Sequence, residues 1–385
     1  MPLLFLSSAG YSLKAMDREI IPAKDMSPLM VVRSLQQFPQ ELKLKIIALL
    51  LQSKNLIYRP SLLEEVKLTS LIRSVSWNPN GESFIIGLSN KTVSLYNLKT
   101  KELETIVTPH TETIFSVAYS PTGKTFLTGA EDHKACVYSS KTGELVTTLE
   151  EHTNTVLSVV FSSDGKTFLT GSMDKTACIW KSETLELVTL FKGHTECIES
   201  AIFSSDEKTV LTGSWDATAR VWNSTTGEVI TILEGHADCV TSVACSPNGQ
   251  TILTGSQDNT ARLWDFTTGK LIIILKGDES PINSVAFTRD GKACLAASDN
   301  GAILVWCSKT GELLEKVAGH TKGIRSMALS PDGETLLTGS PDERVCLWQF
   351  LRGFENLTEE QKKAFFREFL IYYPLVRKIE TSHKD

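Results

Sequence analysis

Residues 235–265 read GHADCVTSVACSPNGQTILTGSQDNTARLWD. The histidine of this segment belongs to a series with a constant spacing of 42 residues. The members of the series are His110, His152, His194, His236, Asp278 and His320, and one further step back reaches Leu68. Seven consecutive units without insertion or deletion are the signature of a repeat protein. The units begin at residues 68, 110, 152, 194, 236, 278 and 320.

Each unit has the sequence pattern of four short strands. In the unit that begins at His152, apolar residues stand at Val156, Val159 and Phe161. A three-residue interval followed by a two-residue interval predicts a β-bulge at the start of the first strand. Turn residues separate three further strand-like stretches, which lie at 168–171, 177–180 and 187–191. We therefore expect one four-stranded antiparallel sheet, or blade, per unit.

A single blade cannot bury both of its faces, so seven blades must stack and close into a ring around a channel. The predicted fold class is all-β: a seven-bladed β-propeller of four-stranded antiparallel blades over residues 60–350, with short helical extensions at both ends. In the last unit the strand pattern ends after Trp348, so the fourth strand is missing. Residues 60–67 fall in the missing register and carry Leu62 and Val66. We expect them to close the ring and protect an open sheet edge.

The Gly-His near the start of a unit and the Trp-Asp near its end closely resemble the WD-repeat family. The resemblance covers the repeated region and implies a propeller that docks other proteins. It also implies a polar network within each blade that links a His, a Ser or Thr, an Asp and the Trp indole. The complete sets are His152, Thr170, Asp174 and Trp180; His194, Thr212, Asp216 and Trp222; His236, Thr254, Asp258 and Trp264; and His320, Thr338, Asp342 and Trp348.

Three units depart from this pattern. The second has Tyr138 in place of the indole. The corresponding residues are Asp278, Ala296, Asn300 and Trp306 in the sixth unit, and Leu68, Ile86, Asn90 and Tyr96 in the first. Because the first and sixth units lack the network, we expect their blades to be the loosest.

The recurring hydroxyl, imidazole and carboxylate also match the groups of a catalytic triad. A nucleophile is needed once and in a cleft, whereas four copies around a ring indicate a structural device. Five of the seven histidines begin a repeat, and no glycine-rich phosphate loop precedes a helix. We therefore predict no catalytic residues, no cofactor and no metal site, and a protein that is not an enzyme.

The composition excludes several classes of function. A hydrophobic content of 41% and a charged content of 22% are ordinary for a globular protein. The net charge of −6 and the lack of a dense Lys/Arg stripe argue against a nucleic-acid partner. No apolar run approaches the roughly 18 residues that a spanning helix needs, so no membrane is expected. The eight cysteines include no CxxC, and several occupy equivalent repeat positions, which predicts reduced thiols and a cytoplasmic location.

The N-terminal region has two predicted parts. Residues 1–27 are expected to be a poorly ordered extension, and residues 28–59 a short helical segment. That segment resembles the start of an F-box at Pro39, Glu41, Leu42 and the Ile46-Ile47 pair, which implies docking to a ubiquitin-ligase adaptor. The residue before the proline is Phe where the motif prefers Leu. A helix that packs against the propeller is the alternative.

After the ring, residues 351–385 are predicted to form an amphipathic helix and a tail. A capping box at 358–361 marks the start of the helix. Its apolar face would consist of Phe365, Phe366, Phe369, Leu370 and Tyr373. This face either packs within the chain or receives a partner.

The bulge residue of each unit and the residue before each turn Asp are expected on one rim of the propeller. Apolar members of this set fall on the second to fourth blades, and arginines flank them. The candidate partner-binding residues are Phe115, Leu157, Met173 and Trp215, with Arg73 and Arg325 from the first and seventh blades. A contiguous apolar patch with a polar rim is typical of an interface. Packing of Trp215 over its own blade is the structural alternative.

The sequence thus predicts a non-catalytic scaffold that docks a partner protein or peptide on one rim of the propeller. The second hypothesis is a substrate-recruiting adaptor of a ubiquitin ligase that uses the F-box-like helix. A hydrolase that uses the channel mouth is the third. We expect the chain to be monomeric by itself.

Overall fold

The structure is a computed structural model that describes residues 60–350. The predicted helical segments within 28–59 and 351–385 lie outside the described residues. The described part begins with β1 (Pro60–Lys67), β2 (Ile72–Trp77), β3 (Ser83–Leu88), β4 (Thr92–Asn97), β5 (Leu103–Val107), β6 (Ile114–Tyr119), β7 (Thr125–Ala130), β8 (Ala135–Ser139), β9 (Leu145–Leu149), β10 (Val156–Phe161), β11 (Thr167–Ser172), β12 (Thr176–Lys181) and β13 (Leu187–Lys192). It continues with β14 (Ile198–Phe203), β15 (Thr209–Ser214), β16 (Ala219–Asn223), β17 (Val229–Leu233), β18 (Val240–Cys245), β19 (Thr251–Ser256), β20 (Thr260–Asp265), β21 (Leu271–Lys276), β22 (Ile282–Phe287), β23 (Ala293–Ser298), β24 (Ala302–Cys307), β25 (Leu313–Ala318), β26 (Ser326–Leu329), β27 (Thr335–Gly339) and β28 (Arg344–Phe350).

These strands form seven antiparallel sheets of four strands each, which confirms the seven-bladed propeller. Six blades consist of consecutive strands, from β2-β3-β4-β5 to β22-β23-β24-β25. The seventh blade has the order β1-β28-β27-β26, so its outermost strand comes from the start of the described chain. Within residues 60–350 no helix is long and apolar enough to cross a membrane.

Burial increases towards the middle of each blade. The first strands of neighbouring blades contact one another and form the innermost layer, as β2 and β6 do. Second strands are covered on both faces, and every residue of β23 is buried. Fourth strands lie outermost and expose apolar side chains. The second strands therefore form nearly continuous runs of buried residues and do not alternate, as expected for strands covered on both faces.

The first strands of the first six blades all carry a β-bulge near their start. In the third blade the pairing of β10 with β11 shifts between Val156 and Ser158, which leaves Leu157 as the extra residue. The extra residues are Arg73, Phe115, Leu157, Glu199, Thr241 and Asn283. In the seventh blade Arg325 holds the equivalent position, and its backbone N–H donates to Gly339 O at 2.8 Å. We call these seven residues the bulge ring.

A serine one residue beyond the bulge position joins neighbouring blades at six of the seven blade boundaries. The Ser74 hydroxyl accepts a hydrogen bond of 3.1 Å from the backbone N–H of Val117 in the next blade. The same bond runs from Val159 to Ser116, from Ala201 to Ser158, from Val243 to Ser200 and from Val285 to Ser242. Ser326 accepts from Val75 at 3.1 Å and joins the seventh blade to the first. These serines satisfy backbone donors that burial would otherwise leave unpaired.

The seam between the seventh and first blades has contacts of its own. β1 pairs antiparallel with β28 from Pro60↔Phe350 to Lys67↔Arg344. Glu64 of β1 accepts a 2.6 Å hydrogen bond from the Tyr96 hydroxyl of the first blade. Burial and this carboxylate raise the pKa of Tyr96 to about 12, so the hydroxyl remains a donor. The tyrosine that replaces the first blade's indole thus ties the outer strand of the seventh blade to its neighbour.

The turn between the second and third strands has a left-handed residue in every blade. Ala217 has φ 64° in the fourth blade, and Gly301 has φ 85° in the sixth. The other five are Lys91, His133, Lys175, Asn259 and Glu343. Only glycine adopts this conformation without steric cost, so six of the seven turns contain backbone strain.

Candidate functional site

The polar network of the fourth blade connects four side chains in a line. Nε1 of Trp222 donates to Oγ1 of Thr212 at 2.8 Å. Nε2 of His194 lies 2.7 Å from the same hydroxyl, and Nδ1 lies 2.8 Å from Oδ2 of Asp216. The arrangement satisfies all groups when the threonine donates to Nε2 and a neutral imidazole donates to the carboxylate. The third, fifth and seventh blades contain the same three contacts between His152, Thr170, Asp174 and Trp180, between His236, Thr254, Asp258 and Trp264, and between His320, Thr338, Asp342 and Trp348.

Burial and hydrogen bonding shift the pKa values within these networks. Burial lowers the pKa of His194, the nearby Arg220 charge acts in the same direction, and Asp216 acts against them. Burial alone would raise the pKa of Asp216, but hydrogen bonds from His194 and Thr218 outweigh it and hold the pKa well below its usual range. The network is therefore built from a neutral imidazole and an ionised carboxylate.

The threonine hydroxyl of each complete network is buried. The Thr212 side chain is 0% exposed and already bonds both Trp222 and His194. Within residues 60–350 no three His, Cys, Asp or Glu side chains are grouped to hold a metal ion. The recurring His, Asp and Thr side chains thus form a buried hydrogen-bonded group inside the five blades that contain all three.

The incomplete networks differ from one another. In the second blade His110 bonds Asp132 and Thr128, but the Tyr138 hydroxyl is buried with no partner in the described residues. The sixth blade has a different arrangement, in which Trp306 Nε1 donates to the Lys276 carbonyl at 3.2 Å. There Oδ2 of Asp278 accepts from Asn300 at 2.7 Å and from Lys316 at 3.0 Å.

Around the channel mouth, the bulge ring brings three groups of side chains together. The Arg73 guanidinium lies over the Phe115 ring, 5.1 Å from its centroid. Nε1 of Trp215 donates to Oε2 of Glu199 at 2.8 Å.

The third group spans the sixth and seventh blades. Arg325 contacts Asp299 and Asn283, each at 3.3 Å, and Asn283 donates to Asp299 at 3.1 Å. Side chains of neighbouring blades therefore meet around this end of the channel.

A model of the family described as WD domain, G-beta repeat matches six segments of the chain, 101–139, 143–181, 185–223, 227–265, 269–307 and 311–349. The chain belongs to the WD40 repeat family. The matched segments include the sixth blade's Trp306 despite its altered network. The part before residue 101, with the first three strands of the first blade, is not among them. A search of curated proteins found no match.

WD40 propellers are typical protein-interaction scaffolds. The four apolar residues predicted at the channel mouth differ in how far they are exposed. Trp215 is 38% exposed, whereas Phe115 and Met173 are half-buried. Leu157 is 8% exposed, so it supports the patch from below and contributes little surface. Arg325 is exposed and Arg73 half-buried.

The electrostatics of the WD40 channel mouth are mixed. Burial lowers the pKa of Arg73, and the charge of Arg325 acts in the same direction. Nε of Arg73 is buried without a hydrogen-bond acceptor in the described residues. Burial raises the pKa of Glu199, while the Trp215 hydrogen bond and the two arginines act against it. The mouth thus contains a cation whose Nε–H has no acceptor among residues 60–350.

The interblade serines and the Glu199–Trp215 bond were missed by the sequence reasoning. The serines had a clear signal, because Ser74, Ser116, Ser158, Ser200, Ser242, Ser284 and Ser326 recur every 42 residues. The Glu199–Trp215 bond had none, since each residue is unique to its blade at that repeat position.

Proposed function

We propose that the channel mouth lined by the bulge ring docks an extended segment of a partner protein. The observation that carries this proposal is the exposed ring of Trp215 with its indole N–H already bonded to Glu199 at 2.8 Å. A tryptophan held in this way presents apolar surface with little side-chain entropy left to lose. Buried tryptophans are among the commonest anchors of protein interfaces.

The charges at the mouth indicate which residue types the partner segment should contain. Arg73 and Arg325 come from the first and seventh blades, which are neighbours, and Arg73 has an unused buried donor. An acidic side chain placed beside them would fill this donor and offset the repulsion between the two cations. We therefore expect an apolar residue of the partner over Trp215 and Phe115 and an acidic residue near Arg73.

The test is partner capture by the double variant Trp215→Ala, Phe115→Ala. Loss of the tryptophan alone should reduce affinity by about 2 kcal/mol, or about 30-fold. Both side chains lie at the surface of the mouth, so the melting temperature should change little. The measurement is affinity purification with mass spectrometry, followed by titration of the recovered partner.

Val146→Ala is the matched control, because this side chain is 58% exposed on the outer strand β9, away from the channel. It should leave capture unchanged. Equal recovery of the partner by the folded double variant would refute docking at the mouth.

The adaptor hypothesis rests on Pro39, Glu41, Leu42 and the Ile46-Ile47 pair, which lie outside the described residues. It stays a prediction, as does the cytoplasmic location. A non-catalytic role is part of our proposal, because the only triad-like groups found within residues 60–350 are buried in the blades.

A further inference from the structure

The outer strands of the fourth and fifth blades form an exposed apolar surface. β17 reads VITIL and β21 reads LIIILK. Six of their apolar side chains are between 39% and 55% exposed: Val229, Ile230, Ile232, Leu271, Ile272 and Ile274. The turn before β21 reaches the neighbouring strand, since a Cβ on Gly269 would lie 2.3 Å from Thr231 Cγ2. The two strands therefore belong to one continuous surface, which we call the outer patch.

Opposite charges flank the two strands of the outer patch. β17 lies between Glu228 and Glu234, and β21 begins after Lys270 and ends at Lys276. All four side chains are exposed. None of them forms an ion pair with any other residue between 60 and 350. The patch thus has an acidic half and a basic half, each with an apolar centre of the same length.

This surface is complementary to itself. We propose that the outer patch binds a second copy of this chain, with β17 of each copy against β21 of the other. Each β17 then has lysines of its partner at both ends and apolar side chains between them. Because each strand carries the same charge at both ends, the pairs form whether the strands run parallel or antiparallel. A contact of β17 with β17 would instead bring like charges together, so charge selects the two-fold exchange.

The other outer strands do not offer this combination. β9 also lies between two glutamates, but Glu150 is held by Lys134 at 2.7 Å and the strand centre is Thr147 and Thr148. β25 has Glu315 and Lys316 at its centre. Lysines on an exposed edge usually oppose association, but at this patch each lysine faces a glutamate of the second copy. The proposal departs from the monomer that the sequence alone predicts.

The experiment uses two charge-reversal variants of the full chain. Lys270→Glu with Lys276→Glu makes both strands acidic, and Glu228→Lys with Glu234→Lys makes both basic. Sedimentation velocity over a dilution series should show a dimer for the unaltered chain. Each variant alone should dimerise at least about ten-fold more weakly, because exposed pairs contribute about 0.2–1 kcal/mol each and reversal replaces them with repulsion.

An equal mixture of the two variants provides the decisive measurement. In the mixed dimer every glutamate again faces a lysine, so association should return to the level of the unaltered chain. Val188→Thr, on the outer strand of the third blade, is the matched control and should not alter association. A monomer at all concentrations, or a mixture that associates no better than its components, would overturn the proposal.

Discussion

The fourth and sixth blades have nearly the same backbone but different polar interiors. Both have four antiparallel strands, a bulge in the first strand and a register shift between the third and fourth strands. In the fourth blade the indole, hydroxyl, imidazole and carboxylate bond in a line. In the sixth blade the hydroxyl is replaced by Ala296, and Trp306 bonds a backbone carbonyl. The polar network is therefore not what gives a blade its shape.

The sixth blade replaces polar contacts with small apolar residues. All side chains from Ala293 to Ala297 in β23 are 0% exposed. With Ala296 at the threonine position, no hydroxyl needs a partner there. One energetic cost remains, because Oδ1 of Asp278 is buried without a hydrogen-bond partner in the described residues. We infer that the network adds stability and pH sensitivity to a blade that packing has already defined.

The largest expected effect is a loss of stability in acid that originates in the network blades. Burial lowers the pKa of His194, His236 and His320. Below the unfolded pKa of about 6.5, the unfolded chain binds protons that the folded chain does not. Stability is therefore complete above that pH and falls as the pH drops, by at most about 1.4 kcal/mol per pH unit for each histidine. Urea unfolding at a series of pH values measures this slope.

The aspartates extend the loss to lower pH. Despite burial, hydrogen bonds lower the pKa of Asp174, Asp258 and Asp342 to about 2. A carboxyl with a lowered folded pKa stabilises the protein above the unfolded value of about 3.9 and loses that effect as the pH falls towards 2. The sixth blade has no histidine in its network and should not contribute to the slope above pH 5. Constant stability between pH 7 and pH 5 would contradict the neutral imidazoles.

A smaller effect is expected when a single carboxylate is removed. Asp216→Ala takes away the partner of His194 Nδ1 and of the Thr195 backbone N–H. Leaving buried donors unpaired should cost about 1 to 3 kcal/mol of unfolding free energy. Asn300→Ala, at the same position of the sixth blade, should cost less, because Lys316 still pairs with Asp278. Chemical denaturation of both variants compares the blades directly, and equal losses would contradict the distinction.

The smallest effects concern the left-handed turn residue of the same two blades. Ala217→Gly relieves the strain at φ 64° and should stabilise the protein by about 0.5 kcal/mol. Gly301→Ala does the opposite, because its Cβ would lie 2.4 Å from the His320 carbonyl oxygen. We expect a loss of about 1 kcal/mol or more. If the two turns are equivalent, thermal melts should show a higher melting temperature for Ala217→Gly and a lower one for Gly301→Ala. A higher melting temperature for Gly301→Ala would rule out that equivalence.

The sequence allowed prediction of features that repeat. The spacing of 42 residues predicted seven four-stranded blades, and the interval between Val156 and Val159 placed the bulge. The members of the complete networks follow from their fixed positions in each unit. These features depend on local geometry, which is the same in every blade.

Contacts that do not repeat were beyond sequence reasoning. The bond between Glu64 and Tyr96 joins residues at the seam, and nothing in a single unit indicates that they meet. Likewise, the acceptor for Trp306 is a backbone carbonyl, which has no sequence signature. The burial of Leu157 depends on how neighbouring bulges fill the channel mouth. A contact that occurs at only one place in the ring leaves no periodic signal in the sequence.

The interblade serine bond is the same across the seam as it is between blades that follow one another in the chain. This bond therefore does not depend on which blade comes first in the sequence. Ser326 joins Val75 at 3.1 Å across the seam, and Ser74 joins Val117 at the same distance within the chain. A duplicated unit would bring with it both the serine hydroxyl and the backbone N–H of this bond, so it could bond to its neighbours in the same way. A circular permutant opened at another loop between blades would retain the six serine bonds. The boundary between the seventh and first blades thus differs from the others in β1 and in the Glu64–Tyr96 bond, but it has the same serine bond.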